Sequence, residues 1–226
     1  MSGKVSSKIV VDGLVLNLDS GNPNSYISGS TTWNDLTYNK NNGTLINGPT
    51  FNSNNCGSIV FDGVNDYGTI PYNSKFNLSI TDYTLEGWFN SNSFSSGQAI
   101  ITKDTNGISF DWCLYIPNSS SLKILSNGTS TNVTANVPTM NTGQWYHCVV
   151  TSVSGTIKIY LNGVLYQTQS MSTSNNSLSY VTIGCASWNL PNGFINGNIS
   201  ILRIYNVGLS GVQVLENYNA LKNRYI

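Results

Sequence analysis

The stretch that most constrains the fold is Gln144–Gln169, QWYHCVVTSVSGTIKIYLNGVLYQTQ. Asn162-Gly163 is the strongest short hairpin signal, because a type I′ turn needs positive φ at both central residues. Ser154-Gly155 is a second turn of the same kind. Together they predict a meander of three antiparallel strands. With two-residue turns the register follows: Leu161 faces Val164, Ile159 faces Tyr166, and Val150 faces Ile159. Side chains alternate across a strand. One face therefore carries Tyr146, Cys148, Val150, Ile157, Ile159, Leu161, Val164 and Tyr166, a core face. The other carries His147, Val149, Thr151, Lys158, Tyr160 and Gln167, a mixed set expected to be wet or partly covered.

The remaining chain repeats this pattern in short runs. In Gly13–Asp19, Leu14, Leu16 and Leu18 point one way and Val15 and Asn17 the other, which reads as a strand. Ser20–Gly43 is a long polar loop anchored by Trp33, and Thr44–Ile46 is a short strand. Gly57–Pro71 reads as strand, turn at Asp62-Gly63, strand. Further strands are expected at Asp82–Ser91, Ala99–Lys103, Phe110–Ile116, Leu122–Ser126, Val133–Val137, Leu178–Ala186 and Gly193–Tyr205. Helical period occurs once, in Ser210–Lys222, with Val214, Leu215, Tyr218 and Leu221 on one face. Ser210 and Gln213 form a capping-box pair there. Strands at this spacing with polar turns predict an all-β, two-sheet antiparallel jelly-roll sandwich with one short C-terminal helix. Residues 1–7 read as a flexible arm and residues 8–226 as a single domain.

Charged residues make up 9% of the chain and the net charge is zero; the usual charged share is about 25%. The surface must be built from amides, hydroxyls and tyrosines. No basic patch exists for nucleic acid or an anionic membrane, so neither is an expected partner. The first residues show neither a signal-peptide pattern nor a membrane-spanning run. Cys56, Cys113, Cys148 and Cys185 are far apart and lack metal-ligand spacing; buried free thiols and a disulfide pair are the two readings.

Five phrases in order carry a resemblance: GSIVFDGVNDY (Gly57–Tyr67), YTLEGWF (Tyr83–Phe89), WYHCVVT (Trp145–Thr151), YLNG (Tyr160–Gly163), and Ile183-Gly184 leading to GNISILRIYNVGLS (Gly197–Ser210). From about Gly13 to Leu221 the chain resembles the laminin-G-like jelly roll of the concanavalin A-like lectin and glucanase superfamily. Its opening, GLVLNLDSGNPNSY with Trp33–Leu36 and Asn42–Leu45, is similar to the variety found in tailed-phage structural proteins. Related folds hold a structural calcium between the first and last strands. Here Ser200 and Ile201 stand where the family has an acidic pair, and calcium needs several charged oxygens. No cofactor is expected; if calcium binds, Asp19, Asp35 and Asp62 are its candidate ligands. The other reading is that these aspartates cap turns.

The glucanases of that superfamily place Glu-x-Asp-x-Glu on one strand, and this chain has no such run. Its two glutamates are Glu86 and Glu216. Asp82 and Glu86 share a strand face but stand too far apart for a close catalytic pair. His147 has no serine elbow to serve. The expectation is a non-enzyme. Aromatic rings with short polar side chains suit sugars, and the candidates are Trp112, Tyr115, Trp188, Asn189 and Asn192. The resemblance implies a non-enzymatic virion component, a capsid or tail decoration or fibre, with other virion proteins, copies of itself and cell-surface glycans as partners. A free lectin and a degenerate glucanase are the alternatives. The apolar helix face is expected to seal the open end of the sandwich, with Asn217 pointing away. Attachment is expected through loops and the arm Met1–Val11, whose VSSKIVV suits strand addition.

Overall fold

The computed structural model describes residues 8–78, 82–104, 110–126, 131–171, 177–186 and 193–226. Among them sixteen strands form two antiparallel sheets. They are β1 (Leu14–Asp19), β2 (Thr32–Trp33), β3 (Gly43–Ile46), β4 (Thr50–Asn52), β5 (Ser58–Asp62), β6 (Tyr67–Ile70), β7 (Tyr83–Ser91), β8 (Gln98–Asp104), β9 (Phe110–Asn118), β10 (Ser121–Ser126), β11 (Thr131–Asn136), β12 (Trp145–Val153), β13 (Thr156–Leu161), β14 (Val164–Ser170), β15 (Val181–Ile183) and β16 (Asn196–Tyr205). The first sheet runs β14-β13-β12-β7-β16-β5-β4, with β1 also paired to β16. The second runs β11-β10-β9-β8-β15-β6-β3-β2. The fold is an all-β sandwich with one short C-terminal helix, α1 (Gly211–Leu221). No helix among the described residues is long and apolar enough to cross a membrane.

The central meander forms as the turns dictate. Ser154, Gly155, Asn162 and Gly163 all have positive φ, the geometry of I′-type hairpin turns. Val150 pairs with Ile159 and Leu161 with Val164. A bulge between Ile159 and Tyr160 then shifts β14, so Ile159 faces Gln167 rather than Tyr166. Cys148, Val150, Ile157, Ile159 and Leu161 are buried in the main core. Val164 and Tyr166 are exposed instead, because β14 is an edge strand lying beyond the core. A second bulge, between Leu14 and Leu16 of β1, breaks the expected alternation. Leu16 and Leu18 enter the core as expected, but Val15 joins them and Leu14 turns to the outer side.

Gly57–Pro71 folds as two strands that do not pair with each other. β5 belongs to the first sheet and β6 to the second, so the Asp62-Gly63 turn carries the chain across the sandwich. Leu178–Ala186 yields only the short β15. Cys113 and Cys148 are buried free thiols, Cys185 is buried, and Cys56 is exposed on a left-handed turn.

The outer side of the first sheet departs most from expectation. His147, Val149, Thr151 and Tyr160 are buried rather than wet. The cover is α1 and the segment before β1. Ser210 and Gln213 close a full capping box at the helix start. The helix then lies over the outer face, not over an open end: Val214 packs with Val149, Tyr160 and Tyr205, and Tyr218 stacks on Trp88 at 5.7 Å. Asn217 is fully buried and points inward, while Leu215 is exposed. The Met1–Ser7 arm lies outside the described residues. The following Val10 is docked: its N–H donates to Asn217 Oδ1 at 2.8 Å, and its carbonyl accepts from Tyr205 Oη at 3.2 Å. Both backbone groups of Val10 are thus used within the chain and are not available for strand addition.

Candidate functional site

The residues singled out in the sequence do not converge. Trp112 is a core residue, with its Nε1 donating to the Phe76 carbonyl at 3.0 Å. Tyr115 sits on the opposite face of β9, half-buried against Ala99, Cys113 and Leu125. Trp188, Asn189 and Asn192 lie outside the described residues. The aspartates are dispersed. Asp19 makes a two-pronged pair with Arg224, at 2.9 and 3.0 Å. Asp35 accepts from the backbone of Asn17, Thr37 and Asn41 and pins the long loop to β1. Asp62 accepts three backbone N–H groups of its own turn, from Val64, Asn65 and Asp66, which holds its carboxyl below the usual range against the opposing effect of burial. Among the described residues no three His, Cys, Asp or Glu side chains form a group able to hold a metal.

The outer face of the first sheet is built in three rows. Strand register sets them: Glu86 stands opposite Val149 and Arg203, Trp88 opposite His147 and Ile201, and Asn90 opposite Trp145 and Asn198. The first row centres on Glu86, which is fully buried. It meets Arg203 Nη1 at 2.8 Å, His147 Nε2 at 3.1 Å, Tyr205 Oη at 3.3 Å and Asn217 Nδ2 at 2.7 Å. Burial pushes this carboxyl up, but the Arg203 charge, then His147 and Asn217, outweigh it and hold it at about 2. A carboxylate so fully engaged, and roofed by α1, is a structural anion rather than an acid or base open to substrate. The second row is an aromatic stack of Trp88 between Tyr218 and Tyr225, the latter at 4.2 Å.

The third row opens to solvent. Beyond Tyr225 the cover ends, and a polar pocket of ≈ 320 Å³ is lined by Asn52, Asn54, Asn55, Asn90, Gln144, Asn198 and the ring of Trp145, among others. Trp145 is half-buried, tilted against Tyr225 at 4.8 Å, and its Nε1 lies 3.3 Å from Asn55 Oδ1. Asn198 Oδ1 accepts from Ser58 Oγ at 3.2 Å, and Asn55 Nδ2 donates to the Arg224 carbonyl at 2.9 Å. The side-chain amides of Asn54, Asn90 and Gln144 make no hydrogen bond among the described residues. Among the described residues no charged side chain lines the pocket. It offers unspent donors and acceptors around one aromatic ring.

Trp145 is not among the aromatic candidates of the sequence, so this pocket was missed there. A signal was present. Asn is depleted from strand interiors, yet Asn90 and Asn198 sit within β7 and β16 and pair directly with each other.

A family model described as the concanavalin A-like lectin/glucanases superfamily (Laminin_G_3) matches residues 62–215. The chain belongs to this family. Among solved structures it is similar to domain 4 of AbnA, a GH43 extracellular arabinanase from Geobacillus stearothermophilus solved with arabinotriose. That match has 19% identity and a TM-score of 0.70, covering 91% of this chain and 98% of that one. It is also similar to Trypanosoma rangeli sialidase in complex with 2,3-difluorosialic acid, with 14% identity and a TM-score of 0.74, covering all of this chain but 35% of that one. A structure of botulinum neurotoxin type C, whose cell entry depends on interaction with two ganglioside molecules, matches with 18% identity and a TM-score of 0.69, covering 92% of this chain and 51% of that one. At these identities the likeness shows the fold. A search of the curated proteins finds no match.

Proposed function

We propose that this chain is a non-catalytic glycan-binding sandwich and that its sugar site is the pocket of Asn90, Trp145 and Asn198. The observation behind this reading is the pairing of unspent amides with one ring in an uncharged hollow. A sugar hydroxyl both donates and accepts, and a carboxamide offers both roles to it. A tryptophan face covers the apolar C–H side of a pyranose or furanose ring. The lack of charge favours neutral sugars over sialylated ones. The arabinotriose complex of the AbnA domain and the ganglioside interaction of the neurotoxin support a glycan role on this fold. A glycan array followed by calorimetry on the best ligand tests the reading. Trp145→Ala and Asn90→Ala should each weaken binding at least tenfold with the fold intact. Binding unchanged in both variants would place any sugar elsewhere.

A second reading concerns where the module works. With charged residues at 9%, the surface suits a component held in an assembly rather than one steered to partners by charge. A capsid or tail component displaying the glycan site fits that surface. Its partners would be virion proteins or copies of itself, and it would be assembled in the host cytoplasm. Immuno-negative-stain microscopy decides this: labelled cells with bare particles would reject the virion role and leave the free lectin.

A further inference from the structure

Lys103, on β8, is the one wholly buried lysine among the described residues. Its partner Asp111, on β9, is buried as completely, and the Nζ to Oδ2 distance is 2.9 Å. Nζ also lies 2.7 Å from the Ser177 carbonyl and 2.5 Å from Oδ1 of Asn77, just after the short turn Ser74–Phe76. Asp111 Oδ2 accepts from the N–H and Oγ of Ser177 at 2.8 and 2.9 Å. Asp111 Oδ1 is buried and has no hydrogen-bond partner among the described residues. A buried amine and a buried carboxylate with a spare lone pair therefore meet the carboxamide of a half-buried asparagine.

We propose that Lys103 and Asn77 become joined by an intramolecular isopeptide bond, with Asp111 as the proton carrier. An amide C=O bond is about 1.23 Å long, so Asn77 Cγ lies no more than about 3.7 Å from the amine, close to the reach of about 3 to 3.5 Å for a reactive pair. Asp111 Oδ2, 2.9 Å from Nζ, is placed to take a proton from the Lys103 amine. The neutral Lys103 amine then adds to Asn77 Cγ. Asp111 returns its proton to the departing amide nitrogen. As the C–N bond breaks and the new N–C bond forms, the joined nitrogen gives its second proton through Asp111 to the released ammonia, which leaves as ammonium, and no oxidant or other reactant is needed. Asp111 ends as it began, ionised, and accepts from the new amide N–H.

A second lysine shows which feature matters. Lys75 Nζ also lies 2.5 Å from an asparagine, Asn39, but it is half-exposed and belongs to no ion pair among the described residues. It has the acceptor without the proton carrier or the burial, and remains a hydrogen bond. The Lys103–Asn77 link would tie the turn that inserts Phe76 into the core to the middle of the second sheet. Like a disulfide, it would act chiefly by restricting the unfolded chain.

Intact-mass spectrometry of the denatured full chain, followed by tryptic mapping, tests the proposal. The chain should be lighter than its sequence by one ammonia, and the peptide Phe76–Lys123 should persist uncut at Lys103. Lys103→Arg, Asn77→Ala and Asp111→Ala should each restore the full mass. Asn77 is only half-buried, so its variant should fold even if the other two do not. A wild-type chain of full mass after prolonged incubation would overturn the bond. So would ammonia loss with Lys103 still cleavable, since Asn-Gly succinimides such as one at Asn162-Gly163 lose ammonia without blocking trypsin.

Discussion

Asn217 Nδ2 donates to Glu86 Oε2 at 2.7 Å, and its Oδ1 accepts from the Val10 N–H at 2.8 Å. One buried side chain thus binds the terminal helix to the centre of the first sheet and to the strand of chain that enters β1. An apolar stripe alone would let α1 slide along the sheet; this contact fixes its position. Asn217→Leu should leave Glu86 and the Val10 N–H short of partners and cost about 1 to 3 kcal/mol, read as a lower urea midpoint. Asn217→Asp, which sets a second carboxylate against Glu86, should cost more.

Glu86 is the group whose loss should be felt most. Glu86→Gln leaves Arg203 as an uncompensated buried charge, which typically costs about 3 to 5 kcal/mol. The same pair predicts acid sensitivity. The folded carboxyl is held at about 2, below its ordinary 4.5, so the unfolded chain binds the proton first. Its contribution is complete above 4.5 and is lost as pH falls from there towards 2. Urea melts across that window should show falling stability in the wild type, with a shallower slope in Glu86→Gln. An equal slope would assign the acid loss to other carboxylates.

How much of this was legible beforehand divides along physical lines. The type I′ turns and the capping box are local, and both formed as the residues dictate. The two-sheet sandwich followed from the spacing of strands and turns. Bulges were not legible: nothing in the sequence marks the extra residue at Tyr166 or the flip of Leu14 and Val15, because bulges are set by the twist of neighbouring strands. The burial of His147 and Asn217 was hidden for a different reason. Each is polar, and polar side chains are read as wet unless their partners are known. Here the partners come from β7, β16, α1 and the segment before β1, up to 207 positions apart. The Trp145 pocket needs the same long-range register.

Edge against centre gives a paired test of the meander. Val150 is fully buried and Val164 is 54% exposed. Val150→Asp puts an unpaired charge into the main core, at a cost of several kcal/mol against a typical total of about 5 to 15, and should abolish cooperative folding. Val164→Asp should shift stability by no more than about 0.5 kcal/mol, despite the same strand pattern in the sequence. Circular-dichroism melts of the two variants read the difference directly.

The end of β1 should hold no metal in the wild-type chain. Asp19 would be the natural carboxylate for a cation there, yet the Arg224 guanidinium already occupies both of its oxygens. Bidentate pairs of this kind are among the stronger charge contacts. The opposing strand supplies Ser200, whose Oγ donates to the Gly57 carbonyl at 2.6 Å and accepts from Tyr225 Oη at 2.8 Å. A ligand stabilises a fold only when it binds the folded state well, and a cation would first have to displace Arg224. Chelation with EDTA, or added calcium, should therefore leave the melting temperature essentially unchanged. Asp19→Asn should lower stability by about 1 kcal/mol, since the pair is partly open to solvent and screened. Arg224→Ala supplies the converse: if a cation site is latent at Asp19, calcium should raise the melting point of this variant alone. A calcium-dependent rise in the wild-type chain would show that the guanidinium yields its place.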